Sequence, residues 1–315
     1  MKHLECALAK GNQIWKYLVV LLVTFVAASF IGSIPLLAVY MIKAAQSGNL
    51  NLELDITNLQ AIGISSNLGL ALLMLPLVLG LIVLIFMVRW FHNRSYKELI
   101  NGANKIRWKR FFTGAAFWVV LMLITYIVEY IIDPANFVLQ FDLFSFIPLI
   151  FISLLLIPLQ TSFEELAFRG YLAQGIGVWT KNRWMVWIIP SVLFGLLHYD
   201  NPEVKEFGFW LMMPQYIFFG MIFGLISILD DGIELAMGVH AANNVFLSLF
   251  FTHSSSAFQT AAVFSIQKVN PYLEFLLLVL SGIVLIAFFY KKYNWNFSIM
   301  NKRVEIEKID MVDTE

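Results

Sequence analysis

Residues Ile147–Trp179 read IPLIFISLLLIPLQTSFEELAFRGYLAQGIGVW, an apolar run interrupted by Glu164, Glu165 and Arg169. As a helix rising 1.5 Å per residue it would extend about 50 Å, longer than the roughly 30 Å hydrocarbon core of a bilayer. Phe163, Leu166, Phe168, Tyr171 and Leu172 surround the charges, so no solvated face receives them. Each ionisable group costs at least about 2.5 kcal/mol at bilayer depth, so such groups are tolerated where they pair or work. Three together require a reason.

The rest of the chain has the same solvent. Sixty per cent of its 315 residues are hydrophobic and 13% are charged, with a mean hydropathy of +0.77. That balance belongs to a polytopic membrane protein. The single cysteine, Cys6, excludes a disulfide framework and a thiolate metal cluster. The predicted fold is therefore all-α, with about eight transmembrane helices in one bundle: Tyr17–Ile42, Ile64–Phe91, Phe111–Ile132, Phe146–Trp179, Trp184–His198, Phe207–Leu229, Leu235–Thr252 and Tyr272–Tyr290. Lys2, Lys10 and Lys16 precede the first run, which is too long for the apolar segment of a signal peptide and reads as a retained helix.

Lysine and arginine set the orientation. Seventeen of the 21 fall in the N-terminal tail, the Arg89–Arg110 connection, the Lys181–Arg183 turn and the C-terminal tail, whereas Lys43, Lys205 and Lys268 occupy the opposite connections. By the positive-inside rule both termini are expected in the cytoplasm, in a multi-pass protein of the cell membrane. The organisation expected is a cytoplasmic N-terminal tail (1–16), a membrane-embedded bundle (17–293) with its motif region at 163–244, and a cytoplasmic C-terminal tail (294–315). The basic connection suits topology and anionic lipid, not nucleic acid. Trp15, Trp90, Trp108 and Trp295 suit membrane-interface belts, and Gly220-x-x-x-Gly224 suits helix packing.

Polar residues recur on helical spacing at three places: Glu164-Glu165 with Arg169, Phe194 with His198, and His240 with Asn244. Of five histidines, His3, His92 and His253 fall in polar segments or at a span end and are expected to titrate in water. If Lys181–Arg183 turns the chain, Glu164 and His198 lie at similar depth, roughly 25 Å from the hairpin tip. His240 follows the Asp230–Gly232 turn by only about seven residues, which would leave it shallower in a ladder of straight helices. A Gly170–Gly177 end projecting from the membrane would relieve that mismatch.

The two glutamates diverge by about 100° on a helix. Glu165 and Arg169 form an i,i+4 pair in the favourable order, which neutralises Glu165 and leaves Glu164 as the candidate acid/base with water as nucleophile. His240 and Asn244 could donate to the oxyanion of a tetrahedral intermediate. The same residues have structural readings: a buried ion pair for Glu165–Arg169, a hydrogen-bonded core residue for His198, and interhelical hydrogen bonding for His240 and Asn244.

In order, Glu164-Glu165-x-x-x-Arg169, Phe194-x-x-x-His198 and His240-x-x-x-Asn244 resemble the three-motif signature of the CPBP family, the CAAX protease and bacteriocin-processing (Abi) intramembrane endopeptidases. The likeness covers Phe163 to Asn244. It implies that Glu164 and His198 activate water, that His240 and Asn244 complete the catalytic set, and that Glu165, Arg169 and Phe194 support it. The substrate implied is a membrane-associated peptide or protein. The chain lacks the His-Glu-x-x-His, Gly-x-Ser-x-Gly and Gly-x-Gly-Asp motifs of other intramembrane proteases.

No cofactor is expected. Zinc is the alternative, because Glu164, His198 and His240 also make a catalytic zinc set with an open fourth position. Two other functions use the same residues: a membrane scaffold for bacteriocin immunity or sensor binding that needs no catalysis, and a proton-coupled transporter. The transporter expects paired repeats with broken helices, and none is present.

Overall fold

A computed structural model describes residues 2–9, 12–47, 59–103 and 105–306. Lys10, Lys308, positions 48–58 of the Gln46–Gln60 connection and the C-terminal tail beyond 306 lie outside the described residues.

Helices dominate, as the composition requires. They are α1 Ile14–Val26, α2 Ile34–Ser47, α3 Ser66–His92, α4 Tyr96–Asn101, α5 Trp108–Ile132, α6 Leu143–Glu165, α7 Ala173–Thr180, α8 Arg183–Leu196, α9 Pro202–Phe207, α10 Phe209–Leu229, α11 Glu234–Phe250 and α12 Pro271–Lys292. α1 and α2 join through a π-helical turn at Ala27–Ile31, and α6 runs into α7 through another at Leu166–Leu172.

Among the described residues six helical runs are long and apolar enough to cross a membrane: Ile14–Ser47, Ser66–His92, Trp108–Ile132, Leu143–Thr180, Phe209–Leu229 and Pro271–Lys292. The chain is thus a multi-pass membrane protein, but eight full crossings are not confirmed. The other two expected spans correspond to α8, with 14 residues, and α11, with 17. Those helices extend only about 21 and 26 Å. His198 falls in the turn after α8 instead of within a helix. One departure from an all-helical chain is a small sheet of β1 Phe137–Leu139, β2 Phe251–Thr252 and β3 Phe264–Ile266, ordered β1-β3-β2. β1 pairs antiparallel with β3, and β2 parallel.

Packing explains the two short helices. α11 lies against α5 and α6, α6 also against α3, and α10 against α8 and α12. Gly220 and Gly224 make the α8–α10 contact possible: a Cβ at Gly220 would stand 2.6 Å from the Ser191 carbonyl oxygen, and one at Gly224 3.0 Å from the Trp187 ring. The Gly-x-x-x-Gly spacing is a packing motif, as expected.

The cationic segments meet at one end of the bundle. Lys2 N–H donates to Asp231, Arg107 reaches both Asp230 and Glu234, Arg110 reaches Asp230, and Arg183 pairs with Glu5 and donates to the carbonyls of Lys302 and Arg303. Arg94 is fully buried and donates to Gln174. These arginines therefore stabilise the end of the bundle by internal pairing, which corrects the expectation that the whole Arg89–Arg110 connection faces lipid headgroups. Trp295 is likewise buried and donates to Asp230 Oδ1 at 3.2 Å, while Trp15, Trp90 and Trp108 are exposed as an interface belt requires.

Three histidines differ from expectation. His3 and His92 are buried: His3 Nε2 donates to the Arg169 carbonyl at 3.0 Å, and His92 Nε2 lies 2.7 Å from the Tyr171 hydroxyl. Burial pushes His253, in the loop after β2, down to about 4. The His3 neighbourhood is not visible from local sequence, because the N-terminal segment folds back over α7. That contact, with Gln174 donating to the His3 carbonyl at 2.7 Å, also accounts for the Gly170–Gly177 end, which is covered by protein.

Candidate functional site

The last turn of α6 supplies the acidic groups. Gln160, one turn before Glu164, donates from Nε2 to Glu164 Oε1 at 2.6 Å and fixes that carboxylate. The other oxygen, Oε2, is buried without a hydrogen bond and lies 3.5 Å from His240 Nε2. Glu165, fully buried, points to the neighbouring sector as the 100° step requires. Its Oε1 accepts from Arg169 Nη1 and from His240 Nδ1, each at 2.8 Å.

Arg169 sits in the π-helical turn that joins α6 to α7, and such turns recur at functional sites. Its guanidinium lies 4.1 Å above the Phe194 ring and 5.2 Å above Phe223, and it donates to the Gly220 carbonyl at 3.3 Å. One side chain thus ties the acidic helix to α8 and α10. Desolvated cation–π contacts of this kind contribute about 2 kcal/mol.

α11 presents His240 and Asn244 on one face. Asn244 Nδ2 donates to Gln160 Oε1 at 3.3 Å and lies 3.5 Å from His240 Nε2. Its Oδ1 accepts from Asn243 Nδ2 at 3.0 Å, and Asn243 Oδ1 accepts from Trp118 Nε1 at 3.0 Å. That chain turns the Asn244 amide so that its N–H groups face Gln160 and His240. The His240 ring stacks on Phe223, centroids 4.9 Å apart.

His198 enters from the end of α8. Its Nδ1 donates to the Phe194 carbonyl at 2.9 Å, because a carbonyl only accepts, which leaves Nε2 as the acceptor when the ring is neutral. Tyr216 of α10 stacks on the imidazole with centroids 4.5 Å apart. The Phe194 ring contacts both imidazoles, at 4.9 Å from His198 and 5.9 Å from His240, and His198 lies within electrostatic reach of Glu164 and His240.

Glu164, Glu165, Arg169, Phe194, His198, His240 and Asn244 therefore belong to one neighbourhood drawn from α6, the turn after it, α8 and α11. The depth mismatch expected for His240 is absent, since it bonds Glu165 directly. One pairing differs from expectation: Glu165 serves His240 as well as Arg169, and the imidazole in contact with Glu164 is that of His240. Gln160, Trp118, Asn243, Tyr216 and Phe223 were not singled out in the sequence. Gln160 carried a signal, its i,i+4 spacing to Glu164, and Asn243 adjoins Asn244 on α11; the other three touch the site only across helices.

Zinc does not fit the resting arrangement. Among the described residues no three His, Cys, Asp or Glu side chains, Glu164, His198 and His240 included, form a group that could hold a metal ion.

Comparisons with known proteins converge on the same segment. A family model described as type II CAAX prenyl endopeptidase, Rce1-like, matches residues 143–246, from the start of α6 into α11. The chain is 30% identical over 286 residues to the uncharacterized protein YyaK of Bacillus subtilis (strain 168), covering 90% of this chain and 94% of that one. No solved structure matches it.

Proposed function

The chain belongs to the Rce1-like family of type II CAAX prenyl endopeptidases, and from that premise we propose that it is an intramembrane endopeptidase in which Glu164 and His198 activate water. The observation that carries this reading is the environment of Glu164: one oxygen anchored by Gln160 and the other buried, unbonded and 3.5 Å from His240 Nε2. A carboxylate held this way accepts a proton without first losing a partner.

Water gives one hydrogen to Glu164 Oε2 and directs the other at His198 Nε2. Its oxygen attacks the peptide carbonyl, and the proton held by Glu164 passes to the departing amine nitrogen. His240 Nε2–H and Asn244 Nδ2–H donate to the oxyanion. Glu165 accepts from His240 Nδ1 and so holds the ring in place for that role. No step runs through a metal.

The substrate is a membrane-associated peptide or protein, with prenylated chains ending in a Cys-aliphatic-aliphatic-X sequence as the class that the family description names. The Arg107–Asp230 end is assigned to the cytoplasm by its cationic connections, with both termini there. The test is a comparison of membrane peptides in cells making the wild type and Glu164→Ala. Peptides that accumulate only with the wild type support the reading and identify the substrate; identical peptide populations contradict it.

A further inference from the structure

Two aromatic rings pack on His198. The Phe194 ring is tilted against it, centroids 4.9 Å apart and 54° between the planes, and Tyr216 is stacked at 4.5 Å with only 19° between the planes. Tyr216 is itself fixed at its far end: its hydroxyl accepts from Asn201 Nδ2 at 3.0 Å and donates to Glu203 Oε2 at 3.4 Å. Glu203 Oε1 in turn accepts from Ala257 N–H at 2.8 Å, which ties α9 to the loop that follows β2. His198 lies in a turn, beyond the helix that could have held it rigid. Its ring plane is therefore set by side chains, and the Phe194 carbonyl constrains only one edge.

We infer that Tyr216 is a positioning residue for the reaction: clamped by Asn201 and Glu203, its ring fixes the plane of His198 and keeps Nε2 aimed at the water shared with Glu164. The assignment rests on the reading of the site proposed above, but its failure can be told apart from a failure of that reading. A misplacement of about 1 Å in a catalytic group costs on the order of a hundredfold in rate. Tyr216→Leu removes the stack, whereas Tyr216→Phe keeps the ring and loses only the hydroxyl.

The experiment uses the full chain in lipid nanodiscs with ¹⁵N-labelled histidine, the His198 signals being assigned from their loss in His198→Gln. The wild type is expected to show one Nδ1–H tautomer at His198, Tyr216→Leu exchange between tautomers, and Tyr216→Phe, whose ring stays stacked but loses its clamp, an intermediate degree of exchange. On an internally quenched farnesylated peptide ending in Cys-aliphatic-aliphatic-X, Tyr216→Leu is expected to lose about tenfold to a hundredfold in kcat with KM changed less than about twofold. A wild-type His198 spectrum in folded Tyr216→Leu overturns the assignment whatever happens to turnover. The spectra decide this even if the wild type leaves that peptide intact.

Discussion

His240 Nδ1 lies 2.8 Å from Glu165 Oε1, the same oxygen that accepts from Arg169 Nη1. The first motif is therefore joined to the third by a direct charge-assisted hydrogen bond, and the glutamate that looks purely structural in sequence also orients an imidazole. Glu164, one residue earlier, is left for chemistry.

Glu165→Gln is expected to lower stability and activity together. It strands the buried Arg169 without a counter-charge, a loss that typically costs about 3–5 kcal/mol, and it removes the acceptor that holds His240. Folded yield and melting temperature in detergent measure the first effect. Normal yield with complete inactivity would exchange the roles of the two glutamates.

Trp118→Phe tests the amide orientation. Trp118 Nε1 is the donor to Asn243 Oδ1, and Asn243 orients Asn244; losing one such hydrogen bond costs about 1 kcal/mol. A severalfold fall in kcat with little change in melting temperature is expected. Unchanged turnover would remove Trp118 and Asn243 from the account.

His3 makes stability depend on pH. Burial holds its pKa below the ordinary value of 6.5, against the opposing pull of Asp231 and of the hydrogen bond to the Arg169 carbonyl. Below pH 6.5 the unfolded chain binds a proton that the folded chain resists. The stabilisation is thus present above 6.5 and is lost as pH falls towards the folded value, by at most about 1.4 kcal/mol per pH unit. Melting temperatures should fall more steeply with acid in the wild type than in His3→Gln, which keeps an N–H donor and does not titrate. Equal slopes would contradict the sign.

Metal removal gives a further test. Exhaustive dialysis against a chelator is expected to leave activity intact, with zinc well below stoichiometric in the purified protein. Stoichiometric zinc that disappears in His198→Ala and His240→Ala, along with activity, would replace the water-activation scheme by a zinc one.

The membrane class and the three polar motifs were legible in sequence because both are local. Twenty-residue apolar runs need no partner to be recognised, and Glu165 with Arg169, or His240 with Asn244, share a helix face by spacing alone. Contacts between helices were not legible. Tyr216 is one aromatic among many in α10, and its relation to His198 depends on how closely Gly220 and Gly224 bring α10 to α8. The burial of His3 depends on the N-terminal segment folding over α7, a contact spanning more than 160 positions. The lengths of α8 and α11 were misjudged for a local reason: apolar residues continue past each helix end, into a turn after α8 and a strand after α11.

The central claim is that Glu164 takes the proton from water. Its most direct test is kcat of purified Glu164→Gln on a peptide that the wild type cuts. The substitution conserves volume and removes the proton acceptor, so the account predicts a loss on the order of 10²–10⁴-fold in a protein with wild-type yield and melting temperature. Full activity in Glu164→Gln would contradict it.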